Sequence, residues 1–235
     1  MPNGSIPAHV THTVGHNIVE SRADLQAHSR DDRIEQGFDL TAYDCVFFCN
    51  VRRFTAREAA VIESCLNGGG GVVWCLGDQV SAEAYNEVLY RQGKGSLPAS
   101  LGDRVGDPQK RDVAFGFDPL DFAHSLVRPF EGNPEAGLER TQSYAYIRAQ
   151  KTEGGDSHVA LAFDSGDPAI LEKPFGRGRS VLVTTSFDEQ WGLWPLWPSF
   201  LPIVHELVHY ATASRPGDRQ KIVGEFFTET FSAVA

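Results

Sequence analysis

The chain has 235 residues, a formal net charge of −10, and 41% hydrophobic and 22% charged residues. That apolar content supplies a core for one large domain and argues against disorder. The acidic balance weighs against proteins that coat nucleic acid or bind anionic membranes, since both need a basic footprint.

Residues 1–40 are polar, with scattered histidines and little hydrophobic period, and lack the basic and apolar regions of a secretory signal. They read as a poorly defined lead-in. Residues 43–51 form a continuous apolar run, as in a strand buried on both faces. Thr55-Ala56-Arg57-Glu58 is a capping box. It opens a helix that buries Val61, Ile62, Cys65 and Leu66 and stops at Gly68. Residues 71–77 make a second buried strand, completing a βαβ unit with a right-handed crossover. Ser81 caps a helix over residues 82–91, and a glycine-rich stretch follows. Weaker strands lie at 113–117, 143–148 and 159–163. Residues 169–175 and 180–185 flank Gly176-Arg177-Gly178 as an antiparallel hairpin. An aromatic, proline-rich connection over 191–202 leads into a helix at 200–213, and residues after Asp218 look extended. The apolar stretch 193–211 is broken by three prolines and carries His205, Glu206 and His209, so it does not read as a membrane span. This order of elements predicts an α/β sandwich with an antiparallel edge.

The four cysteines follow C-x3-C-x15-C-x9-C, which matches neither a zinc knuckle nor a C-x-x-C redox pair. All four sit in apolar segments and read as small buried hydrophobes. On one strand Cys45 and Cys49 stand about 13 Å apart, too far for a disulfide with each other.

In open α/β sheets, ligands gather beyond the carboxyl ends of the strands. Here those ends are residues 50–53, 75–79 and 186–188. They nominate Asn50, Arg52, Asp78, Ser186, Asp188 and the nearby Trp191 as pocket residues. Arg52 suits an anion, and Asp78 with Asp188 suits a cation or polyol. Trp191, Trp194 and Trp197 either line a groove, plug the sheet end or contact a neighbouring domain.

Cys75-Leu76-Gly77-x-Gln79 resembles the nucleophile elbow of class I glutamine amidotransferases, Gly-x-Cys-x-Gly-x-Gln, with Val73 in place of the first glycine. A thiol nucleophile needs a histidine base. The stretch where the family places it, residues 184–189, has none. Cys75, Gly77 and Gln79 thus read as a vestigial elbow without catalytic residues. Tyr43-Asp44-x-Val46-Phe47, the glycines at 68–71, Leu76-Gly77-Asp78, residues 176–182 and the Trp/Pro segment at 191–207 are similar to a non-catalytic branch of that family. This branch occurs in bacterial aerotolerance-regulator-type membrane proteins, beside von Willebrand factor A domains. The resemblance implies a flavodoxin-like, class I glutamine amidotransferase-like three-layer sandwich over residues 41–215. Its sheet would be mostly parallel, with an antiparallel C-terminal hairpin. Residues 216–235 resemble the start of a following domain. The implied role is a catalytically silent binding or interaction module of a cell-envelope protein. Its partners would be other domains or proteins of a membrane-associated assembly, with neither nucleic acid nor a cofactor.

One motif points elsewhere. His205-Glu206-Leu207-Val208-His209 matches H-E-x-x-H, in which two histidines one turn apart share a zinc ion and the glutamate acts as base. Glu229, twenty residues on, offers a third ligand. The alternative is therefore a zinc-dependent metallopeptidase. Against it, the apolar stripe of Phe200, Leu201, Val204, Leu207, Val208 and Ala211 predicts a helix that packs on a sheet with its histidines toward solvent.

Overall fold

The computed structural model describes residues 40–213, together with the backbone of three short strands within the lead-in. These are β1 (Thr11–Val14), β2 (Asn17–Glu20) and β3 (His28–Ser29), which pair antiparallel in a small sheet of their own. The readings of residues 216–235, and Glu229 with them, fall outside the described residues.

Strand β4 (Cys45–Cys49) is followed by α1 (Ala56–Asn67) and β5 (Gly71–Cys75). The capping box at the start of α1 is complete. Thr55 N donates to Glu58 Oε2 at 2.6 Å, and Glu58 N donates to Thr55 Oγ1 at 3.3 Å. The two strands pair in parallel, so strand, helix and strand form the βαβ unit that the sequence predicts. The next helix, α2 (Ala82–Tyr85), is shorter than expected and passes into a π-helical turn at Asn86–Tyr90. Part of the glycine-rich stretch is a strand, β6 (Ser100–Gly106). Then come β7 (Phe115–Asp118), β8 (Gln142–Ser143), β9 (Ala145–Gln150), β10 (His158–Phe163), β11 (Pro168–Phe175), β12 (Gly178–Val183) and α3 (Phe200–Thr212).

The main sheet has seven strands in the order β4-β5-β12-β11-β10-β7-β8, while β6 pairs only with β9. Within it β4, β5 and β12 run parallel, and every pairing from β12 through β11, β10 and β7 to β8 is antiparallel. This overturns the expected flavodoxin-like, class I amidotransferase-like sandwich with its mostly parallel sheet. The sheet is mixed and curls into a half-barrel with few helices. The expected C-terminal hairpin forms, and a further short turn beyond it extends the antiparallel pairing. Gly176, with φ of 58°, takes the first loop position between Phe175 and Gly178 and turns β11 straight back into β12. Residues 164–167 similarly return β10 into β11. Short connections force antiparallel neighbours, whereas parallel ones need a long crossover. The apolar runs at 43–51 and 71–77 do pair in parallel, but the equally apolar β10 and β11 are antiparallel, because burial carries no strand direction.

The helices cover the part of the sheet centred on β5 and β12. α1 lies over β5, β12 and β11, and α3 over β4, β5 and β12. Ile62, Cys65 and Leu66 of α1 pack with Val46, Phe48, Val72, Trp74 and Leu182. On the opposite face, Ile203, Leu207 and Ala211 of α3 pack with Phe47, Val73, Cys75, Val181 and Val183. The antiparallel half is filled by rings instead. Tyr146 stacks on Phe163 with centroids 4.2 Å apart, and Phe117 lies 4.5 Å from Trp194.

Candidate functional site

In-register pairing places Cys49 opposite Cys75, and Cys75 opposite Val183. The chain therefore leaves β4, β5 and β12 at one level, and the exits form a rim. Asn50 N donates to Cys75 O at 2.8 Å, and the residue then turns with φ of 52°. Its Nδ2 donates to Asp78 Oδ1 at 2.7 Å, and its Oδ1 accepts from Gln79 N at 3.0 Å. A Cβ on Gly77 would meet the Asn50 carboxamide at 2.4 Å. Gly77 is thus glycine because the Asn50 side chain crosses directly over it, a role unrelated to a strained nucleophile turn. Asp78, Gln79 and Arg52 are exposed, and the Arg52 carbonyl accepts from Ser81 N at 3.0 Å.

Past β12, Thr185 Oγ1 and Ser143 Oγ share a hydrogen bond at 2.7 Å, and both reach Ala145 O. Ser186 is buried, with its Oγ donating to Asp188 O at 3.3 Å, and Asp188 Oδ1 accepts from Gln190 N at 2.9 Å. Trp191 is only 1% exposed and packs in the same core as Trp74, so it plugs the sheet rather than facing a ligand. The rim accordingly joins Asn50, Gly77, Asp78 and Gln79 through direct bonds, while Ser186 and Asp188 bond within their own turn.

Cys75 is fully buried. Burial pushes its thiol well above the usual value, reinforced by a hydrogen bond with Cys49 and by the charges of Cys49 and Cys45. A thiol so held is protonated at neutral pH and is a poor nucleophile.

His205 and His209 are both exposed on one face of α3, with ring centroids 6.3 Å apart, and Glu206 is half-buried beside them. Leu207 and Ala211 point into the core, as the apolar stripe predicts, whereas Leu201 of that stripe is exposed and Ile203, outside it, is buried. Among the described residues, no three histidine, cysteine or carboxylate side chains converge as a metal site.

The Trp/Pro segment divides in two. Trp191 and Trp194 are buried and Trp197 is half-buried. Leu196 and Leu201, however, are 65% and 71% exposed, with Pro198 and Pro202 exposed beside them.

A titratable cluster at the opposite end of the strands was missed from sequence. His158 of β10 lies opposite Glu172 of β11, and Tyr210 of α3 shares a hydrogen bond with the Glu172 carboxyl. The Arg179 guanidinium lies 4.3 Å from the Tyr210 ring centroid, and the His124 ring lies 5.1 Å from it. Burial raises the pKa of Glu172, against the lowering effects of Tyr210, His158 and Arg179. Burial also lowers His124, helped by the charges of His158, Arg179 and Arg128, and pushes Tyr210 up to about 12. The one available signal was a carboxylate inside the apolar run Ala169-Ile170-Leu171-Glu172.

No family model matches the chain, and no curated protein is significantly similar to it. Among solved structures, it is similar to the cytoplasmic protein STM3548 from Salmonella typhimurium, at 15% identity and a TM-score of 0.58, over 86% of this chain and 94% of that one. It is also similar to the cytoplasmic protein STM1381 from Salmonella typhimurium LT2, at 17% identity and a TM-score of 0.51, over 88% and 93% of the two chains. A weaker likeness, at 12% identity and a TM-score of 0.49, covers 74% of this chain and 23% of a β-galactosidase from Bacillus circulans sp. alkalophilus. At these identities the likeness concerns the fold alone. It does not lead to the glutamine amidotransferase-like domain of aerotolerance-regulator-type proteins, and that resemblance is corrected together with the sheet topology.

Proposed function

We propose that this domain is a non-catalytic interaction module that docks another protein through the surface formed by Leu196, Pro198, Leu201 and Pro202. The observation that carries this reading is the exposure of Leu196 and Leu201, the highest among the exposed large hydrophobic side chains of the described residues. They lie five residues apart, on the turn before α3 and on its first turn. Exposed apolar side chains grouped in one short segment mark protein contacts. The burial and raised pKa of Cys75 argue against a catalytic nucleophile of the amidotransferase kind. The cell-envelope setting rested on the corrected resemblance and is not part of this proposal.

The test is a photo-reactive amino acid placed at position 196 or 201 of the chain in its producing cells. A discrete adduct to one protein at both positions, lost in a Leu201→Glu variant when probed from position 196, is the expected result. Diffuse labelling at both positions, unaffected by that substitution, would overturn the reading.

A further inference from the structure

We propose that Cys49 and Cys75 form a redox-responsive dithiol that closes into a disulfide across the ends of β4 and β5. The two residues are direct partners in the parallel register, so their side chains leave the sheet on the same face. Neighbouring strands lie about 4.8 Å apart, inside the roughly 4.4–6.8 Å between Cα atoms that a disulfide spans. The thiols are already in hydrogen-bonding contact. Closing the bond needs a rotation of side chains and a slight approach of strands that are already paired.

The other cysteines lack this arrangement. Cys45 lies on the same strand but opposite Gly71, and Cys65 sits on α1 with its thiol donating to Leu40 O at 3.5 Å. The pair is also asymmetric, because Cys49 is half-buried while Cys75 is buried. Access makes Cys49 the thiol that attacks a disulfide from solution and Cys75 the resolving one.

With a small disulfide RSSR as oxidant, the Cys49 thiolate attacks one sulfur. The Cys49–SR bond forms, the RS–SR bond breaks, and RS⁻ leaves. The Cys75 sulfur then attacks that of Cys49, and its proton passes to the departing RS group. The protein disulfide forms, the second RS group leaves as RSH, and the first RS⁻ takes up the proton that Cys49 had lost. Two protein thiols are oxidised and one RSSR is reduced to two RSH. Burial keeps Cys75 protonated, so it remains inert until Cys49 carries a leaving group. The consequence reaches the rim. Cys49 precedes Asn50 and Cys75 opens the turn to Gly77 and Asp78, so the covalent tie lies directly beneath the Asn50–Asp78 bond.

The experiment equilibrates the full chain in buffers of reduced and oxidised glutathione, traps free thiols by alkylation, and maps the peptides by mass spectrometry. A peptide linked through Cys49 and Cys75 is expected. It should be absent in Cys49→Ser, and it should persist in Cys45→Ser and Cys65→Ser. Cys75→Ser should instead accumulate the glutathione adduct on Cys49. Should that buried substitution unfold the chain, as circular dichroism would reveal, Cys49→Ser and the wild type decide alone. A wild-type glutathione adduct on Cys49 that never resolves, linkage through Cys45 or Cys65, or no oxidation short of unfolding would each overturn the proposal.

Discussion

Asn50 donates its carboxamide hydrogen to Asp78 at 2.7 Å, tying the exit of one parallel strand to the exit of the next. The same carboxamide accepts the Gln79 amide at 3.0 Å, and it can lie there only because Gly77 has no side chain. The rim is thus an interlocked unit in which Asn50 and Gly77 require one another.

This interlock predicts non-additive substitutions. Gly77→Ala inserts a methyl group into the Asn50 carboxamide and should cost about 1–3 kcal/mol. Asn50→Gly suits the left-handed backbone and loses two hydrogen bonds, one of them to a carboxylate, for about 1–3 kcal/mol. The double variant has no carboxamide left to clash with. Its cost should fall below the sum of the two by about 1 kcal/mol or more. Urea denaturation of the four proteins measures this, and strict additivity would show that the carboxamide moves aside freely.

The capping box predicts a simpler result. Thr55→Ala removes the acceptor for Glu58 N and should lower stability by about 1 kcal/mol, read from the midpoint of urea unfolding. Thr55→Ser should retain most of that contribution.

That box also shows which features were legible in the sequence. Thr55 and Glu58 interact three residues apart, so pattern and contact coincide, and α1 begins where the pattern says. The apolar stripe likewise placed α3 and turned His205 outward, through Leu207 and Ala211, although its Leu201 is exposed and Ile203, outside the stripe, is buried. Strand direction was legible where a crossover helix or a glycine turn marked it, at β4–β5 and β11–β12, and not at β10 or β7. Cys45–Cys49 and Ala169–Leu171 are equally apolar, yet the first has a parallel neighbour and the second has antiparallel ones. The rim was half legible, since strand ends could be located but the Asn50–Asp78 bond spans 28 residues and leaves no periodic trace. Glu172, Tyr210 and His124 come from a strand, a helix and a loop, and only folding brings them together.

Within the core, Trp74 Nε1 donates to Ser180 Oγ at 2.8 Å while its ring stacks on Phe48 at 5.1 Å. Both residues are completely buried. Ser180→Ala should therefore strand the indole N–H and cost about 1–3 kcal/mol. Trp74→Phe strands the Ser180 hydroxyl and also leaves a void, so it should cost more, about 2–4 kcal/mol. Equal midpoints for the two variants in urea would argue that packing around the ring contributes nothing beyond the bond.

The cluster around Glu172 predicts two opposed pH dependences. The Glu172 carboxyl titrates above its ordinary value in the folded state, mainly through burial. The folded chain then holds a proton that the unfolded chain loses near pH 4.3, so this group's contribution falls as pH rises from about 4.3 to the folded pKa. Glu172→Gln keeps an acceptor for the Tyr210 hydroxyl but cannot ionise. Its stability relative to wild type should therefore improve between pH 4 and pH 7. His124 works in the other direction. Its folded pKa lies below the ordinary value, so the unfolded chain takes up the proton first, and stability drops as pH falls below about 6.5 toward the folded pKa. His124→Gln should flatten that loss. Urea midpoints of the wild type and both variants across pH 4–8 separate the two contributions. A Glu172→Gln advantage that shrinks as pH rises would mean that His158 and Arg179 hold the carboxylate ionised against the cost of burial.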